Sequence, residues 1–186
     1  VAPSRGLGDV YKRQVFNNLA KVPYLTVSVS GLTNDGFFQN KNYSGMFGIE
    51  GGQDVSPEVS WNDVPSGTKS FVVTMYDPDA PTESGFWHWS IKDIPADITT
   101  LSENAGDINS DSLPEKAVAM PMDARMNRYV GAAPAKGDQP HPYHIVVTAL
   151  DVDVLDVSPD STPAFMNFNM IGHELARGSK IVYAQL

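Results

Sequence analysis

The sequence predicts an all-β fold, an antiparallel sandwich with one short C-terminal helix, and three observations predict it. Short runs of β-branched and aromatic residues recur along the chain. Turn residues separate them: the 15 Gly and 14 Pro fall mostly in the gaps, as at Gly31, Gly51-Gly52, Pro65-Ser66-Gly67, Pro95 and Gly137. No periodic segment long enough to serve as a helical crossover lies between the runs, which argues against a parallel α/β sheet.

In chain order, Leu25 to Val29 forms the first expected strand, Phe71 to Tyr76 the second and Trp87 to Ile91 the third. The polar stretch Leu101 to Glu115, rich in Ser, Asn and Asp, reads as a long surface loop. Tyr143 to Val152 and Ile181 to Ala184 are the last two expected strands. Between them one helix is predicted. Ser161 or Thr162 caps it, Pro163 takes its first position, Phe168, Ile171 and Leu175 recur at helical spacing, and Gly178 ends it.

At 186 residues and 20.2 kDa the chain fits one domain with a core of its own. Residues 15–186 are expected to form it. Residues 1–14 lack an initiator Met and read as a scar or a disordered leader, outside the fold. Zero Cys excludes disulfides and thiolate metal sites but leaves the compartment, cytoplasmic or periplasmic, undecided. No apolar run approaches the roughly 18 residues of a membrane-spanning helix, so no integral membrane segment is expected.

The 13 Lys and Arg against 22 Asp and Glu give a net charge of −9. Such a field repels nucleic acid and anionic surfaces, so a bound anion would need a compact set of local donors. Gly-x-Ser-x-Gly, a thiol nucleophile and a phosphate-binding Gly-Lys-Ser/Thr loop are all missing from the sequence, and no catalytic residue is assigned. Asp107-x-Asn109-x-Asp111 begins like a calcium loop, but Ser112 stands where glycine is needed and Glu115 comes too early. Asn42-Tyr43-Ser44 fits a glycosylation sequon.

The chemistry-bearing residues gather where strands meet loops. Asp77-Pro78-Asp79-Ala80-Pro81 follows the second strand, and its two prolines stiffen the turn that aims both carboxylates. An isolated Asp-Pro-Asp would equally be a turn accepting backbone N–H bonds. Strict alternation along Trp87-His88-Trp89 sends His88 to one face and both tryptophans to the other. In His141-Pro142-Tyr143-His144, Pro142 holds His141 extended, Tyr143 alternates with Ile145 and Val147, and His144 points the other way. Gly131 to Gly137 is expected to offer backbone N–H groups as an anion nest.

These residues, with Pro57 and Trp61 in Ser-Pro-Glu-Val-Ser-Trp and with Tyr129 to Gly137, resemble the phosphatidylethanolamine-binding protein family, and most closely its bacterial, Raf-kinase-inhibitor-like branch. The resemblance runs from about Gly51 to the C-terminus. It implies a Greek-key arrangement of the sandwich and a ligand site built from Asp77, Asp79, Pro81, His88, Pro134, His141 and Tyr143. His88, His141 and Tyr143 would donate to the anion, Asp77 would accept from a histidine or a ligand ammonium, Asp79 and Pro81 would shape the loop, and Pro134 would form a wall. Two positions depart from the pattern: Pro142 replaces an Arg, and Ala135 replaces the second Pro of a small-Pro-Pro sequence.

The function so implied is non-catalytic binding of a small anion or phospholipid head group, such as phosphate or phosphoethanolamine, with no cofactor and no metal. The alternative is a protein regulator that inhibits a kinase or peptidase, and a metal-dependent hydrolase stands behind both. Expected partners are a phosphate- or carboxylate-containing ligand and, in the alternative, a kinase or peptidase. Nucleic acid is not expected, and the chain is expected as a monomer or homodimer. An Asp77 charge beside an imidazole is expected to raise its pKa, so that phosphate affinity falls as pH rises through the histidine titration.

Overall fold

The computed structural model describes residues 18–186. The expected scar or leader at residues 1–14 lies outside the described residues. Two antiparallel sheets make up the fold. The smaller comprises β1 (Thr26–Val29), β2 (Val59–Asn62) and β5 (Thr100–Leu101), in the order β1-β2-β5. In the larger, β3 (Ser70–Asp77), β4 (Phe86–Pro95), β6 (Val118–Ala119), β7 (His141–Leu150) and β8 (Glu174–Ala184) lie in the order β6-β4-β3-β7-β8.

Alternation explains how the sheets pack. Phe71, Val73 and Met75 of β3, with Ile145, Val147 and Ala149 of β7, face inward and meet Val27, Val59, Trp61 and Leu101 of the smaller sheet. Trp61 and Phe71 close this layer edge to face, ring centroids 5.1 Å apart. The outer face of the larger sheet has its own apolar cluster, in which Val72 and Leu150 pack with Met120, Leu155, Met166 and Met170. With both faces covered, the central strands read as nearly continuous apolar runs.

All five expected strands are present, three of them longer than their apolar runs. The short strands β2, β5 and β6 went unpredicted because two to four residues carry too little periodicity. Within Leu101 to Glu115, Leu101 and Ala105 are buried in the core, so the expected surface loop is anchored at its start. The sequon is closed: Asn42 is buried and its Nδ2 donates to the Val55 carbonyl at 2.8 Å.

The helix α1 (Pro163–Asn169) starts as expected, with Thr162 Oγ1 accepting from the Phe165 N–H at 3.2 Å and Pro163 in the first turn. It ends earlier. Leu175 and Gly178 belong to β8, and the buried residues of the helix are Pro163 and Met166. Phe168 and Ile171 are each 66% exposed. Gly178 serves a close approach: a Cβ there would lie 2.0 Å from the Leu25 carbonyl oxygen, where the incoming chain runs parallel beside β8 and bonds to Arg177.

Candidate functional site

The end of β3 and the start of β7 converge because the two strands pair antiparallel, Tyr76 opposite His144. This register sets the Asp77 and His141 side chains together. Asp77 is buried, its Oδ2 accepts from His141 Nδ1 at 2.8 Å, and its Oδ1 accepts from the Asp79 N–H at 2.8 Å. Asp77 is thus both the histidine's partner and the anchor of the Asp-Pro-Asp turn. The other ring nitrogen of His141 lies 3.3 Å from Asp138 Oδ2. A carboxylate oxygen accepts only, so both contacts are hydrogen bonds when the ring carries both protons.

β4 brings in His88 through an irregularity. Met75 pairs with Trp89 but Tyr76 pairs with Trp87, so β4 holds one extra residue at His88. The bulge breaks the expected alternation. Trp89 lies inward, edge to face with Tyr129 at 5.6 Å, whereas Trp87 lies on the outer face against Tyr76 at 4.6 Å. The two tryptophans therefore occupy opposite faces, and His88 turns toward the rim, its ring 4.9 Å from Phe86 and 5.1 Å from Tyr143.

Asp77, His88, His141 and Tyr143 line a cavity of about 230 Å³, closed on other sides by Phe47, Phe86, Pro81 and Ala133. Pockets of about 430 and 610 Å³ exist elsewhere, but this one brings together two histidines, a carboxylate and a phenol from three strands. Asp79 and Pro134 are not among its lining residues. Asp79 acts through its backbone in the Asp77 turn, and Pro134 is buried one residue beyond the lining Ala133.

Electrostatics separates the donors. His88 Nδ1 is 3.0 Å from the Val130 carbonyl, which only accepts, so this nitrogen carries a proton. Burial lowers the His88 pKa below the ordinary histidine value. Hydrogen bonds to the Val130 and Gly131 backbone and the charges of Asp77 and Asp123 oppose burial without overcoming it. The expected upward shift is therefore reversed at His88. Burial, then the Asp77 charge and hydrogen bond, push the Tyr143 phenol up, while the hydrogen bond from the Ala133 N–H acts the other way. Tyr143 stays neutral, its oxygen accepting from that N–H at 3.2 Å.

The first half of the expected anion nest is spent internally. The Gly131 N–H donates to Asp54 Oδ1 at 2.8 Å, that of Ala132 to the Asn42 carbonyl, and that of Ala133 to Tyr143. Asp54 was missed in the sequence. It is buried at φ 54°, and its second oxygen accepts from the Met46 N–H at 3.0 Å, tying the loop that carries Phe47 to the loop that carries Ala133. Its signal is slight, since an isolated aspartate among glycines reads as a turn. Gly131 is needed for contact, because a Cβ there would lie 2.3 Å from the Tyr43 backbone.

Fold and rim together define a two-sheet β-sandwich protein with a small histidine- and carboxylate-lined cavity at one end of its central strands. The chain belongs to the phosphatidylethanolamine-binding protein family, whose model matches residues 32–184. It is 44% identical over 130 residues to YbcL of Escherichia coli K12, 70% of each chain, and 44% identical over 128 residues to YbhB of the same organism, 69% of this chain and 80% of that one. The crystal structure of E. coli YbcL, described as a new member of the mammalian family, superposes with a TM-score of 0.81 at 35% identity, covering 87% of this chain and 98% of that one. A family homolog from Chlamydia trachomatis shares the fold, with a TM-score of 0.72 at 24% identity, covering 88% of this chain and 98% of that one.

Proposed function

We propose that the single domain of residues 15–186 binds a small phosphate- or carboxylate-bearing ligand, of the phosphoethanolamine type, in the Asp77–His141 cavity, without catalysis. The observation that carries this is the buried Asp77–His141 pair opening, together with His88 and Tyr143, onto a cavity of about 230 Å³. That volume suits a head group better than an extended ligand. An anion would meet Nε2–H of a protonated His88 and, on displacing the exposed Asp138 carboxylate, Nε2–H of His141, and a ligand ammonium would meet Asp77.

Titrating phosphoethanolamine by calorimetry at pH 6, in phosphate-free buffer with chelator, tests the reading. We expect saturable binding coupled to proton uptake at His88 Nε2, weakened about tenfold or more in His88→Ala, since a hydrogen bond to a charged group contributes about 1.5–3 kcal/mol. His88 donates from both nitrogens only when protonated, and its lowered pKa places that change below the ordinary value of about 6.5. Affinity should therefore rise as pH falls from 8 to 5. The control is 2-aminoethyl sulfate, whose anion keeps its charge over that range. Equal heats in both proteins, or a flat pH profile, would overturn the assignment.

A second reading, a regulator of a kinase or peptidase, draws on one observation: Met46 and Phe47 are 42% and 46% exposed, and Phe47 lines the cavity. A partner's loop inserted at the mouth would cover both. Partner inhibition that survives His88→Ala but is lost in Phe47→Ser would favour it over ligand sensing.

A further inference from the structure

The far end of the same strands holds a second cavity, of about 610 Å³, lined by charged as well as apolar side chains. Lys69, the residue before β3, and Asp77, the last residue of β3, stand roughly 25 Å apart at 3.3 Å per residue. Lys69, Lys92 and Lys116 all line this cavity, three of the 13 cations in a chain of net charge −9. A second irregularity in β4 builds it. Phe71 pairs with Ile94 but Val73 pairs with Ile91, so Lys92 and Asp93 together oppose Val72, with Asp93 at φ 57°. Bulges of this kind redirect side chains, and a non-glycine residue in the left-handed region is held there by its surroundings.

What holds it is a buried ion pair. Lys92 Nζ donates to Asp93 Oδ2 at 2.6 Å and to the Leu155 carbonyl at 3.1 Å, while Asp93 Oδ1 accepts from the Leu155 N–H at 2.8 Å. Both Asp93 oxygens are occupied, whereas an ammonium has three N–H donors and Lys92 uses two. Lys69 and Lys116 are exposed, and among the described residues neither has an ion-pair partner. The opposing carboxylate is the exposed Asp153, leaving one positive charge in excess. The buried pair explains Lys92 but not two further lysines at its mouth. Val118 and Val154 give the cavity an apolar wall.

We propose that this cavity is a second ligand site, taking a small organic anion with an apolar body. Lys69 and Lys116 hold its carboxylate or phosphate, and the remaining N–H of Lys92 supplies the inner contact. The volume falls within the range of small-molecule sites, and the site shares no residue with the Asp77 cavity.

Backbone amide NMR during titration with phenyl phosphate, and separately with benzoate, tests it. We expect saturable shifts with at least one probe at residues 92–93, 116–118 and 153–155. Binding should weaken at least tenfold in Lys69→Gln/Lys116→Gln and tighten in Asp153→Asn, with His88→Ala unchanged. The two Gln substitutions are at exposed positions, and the spectrum itself reports whether the fold is kept. Shifts confined to Asp77, His88 and His141, no saturable shifts at all, or unchanged affinity in the double variant would overturn the second site. The first of these would leave the head-group reading standing.

Discussion

Asp77 is the residue on which the rim depends, because one carboxylate fixes both the His141 ring and the following turn. Asp77→Ala leaves a buried histidine N–H and a turn N–H without their acceptor, each a desolvation cost of about 1–3 kcal/mol. We expect the variant to lose about 2–4 kcal/mol in urea unfolding with an unchanged m value. Asp77→Asn, which keeps an acceptor oxygen, should recover part of the loss. Equal stability of wild type and Asp77→Ala would show that the pair contributes nothing. Tyr143 and Asp54 play comparable parts, each spending an oxygen on a backbone N–H that shapes the cavity wall.

At the scale of elements, two extra residues in β4 decide what each end of the sheet presents. The bulge at His88 turns that ring to the rim and moves Trp87 to the outer face, and the bulge at Lys92–Asp93 aims a lysine into the far cavity. The helix shows how a neighbouring surface selects the buried stripe: Met166 is fully buried against the outer face, whereas Phe168 is 66% exposed. Met166→Ala should cost about 2–5 kcal/mol by denaturant unfolding, and Phe168→Ala should fall within about 0.5 kcal/mol of wild type. A reversed order would restore the helical face read from Phe168 and Ile171.

For the molecule as a whole, burial of neutral histidines couples stability to pH. The folded pKa of His88 is lowered by burial, and that of His144 is lowered by burial against the charges of Asp77 and Asp79. Between each folded value and the unfolded value of about 6.5, the unfolded chain binds more protons, so stability rises with pH in that window. The contribution is complete above about pH 6.5 and is lost as pH falls through the folded values. The urea midpoint should therefore drop from pH 7 to pH 5, and the drop should shrink in His88→Gln/His144→Gln. An equal slope in both proteins would assign acid sensitivity to other groups.

Much of this protein was legible in its sequence. Alternating apolar runs and Gly and Pro punctuation located five strands, and Thr162-Pro163 located the start of the helix, because these are local preferences of backbone and side chain. Asp77, His88, His141 and Tyr143 were legible as strand-end residues. What only the tertiary structure decided depends on partners distant in sequence. Whether Trp87 lies in or out is set by a bulge visible only against β3. The helix face is set by the sheet it meets, and Gly178 by the adjacent Leu25 backbone. The use of the Gly131 to Ala133 N–H groups depends on Asp54, Asn42 and Tyr143. The His88 pKa shift is settled by how deeply the folded chain buries the ring, a quantity that no neighbouring residue in the sequence records.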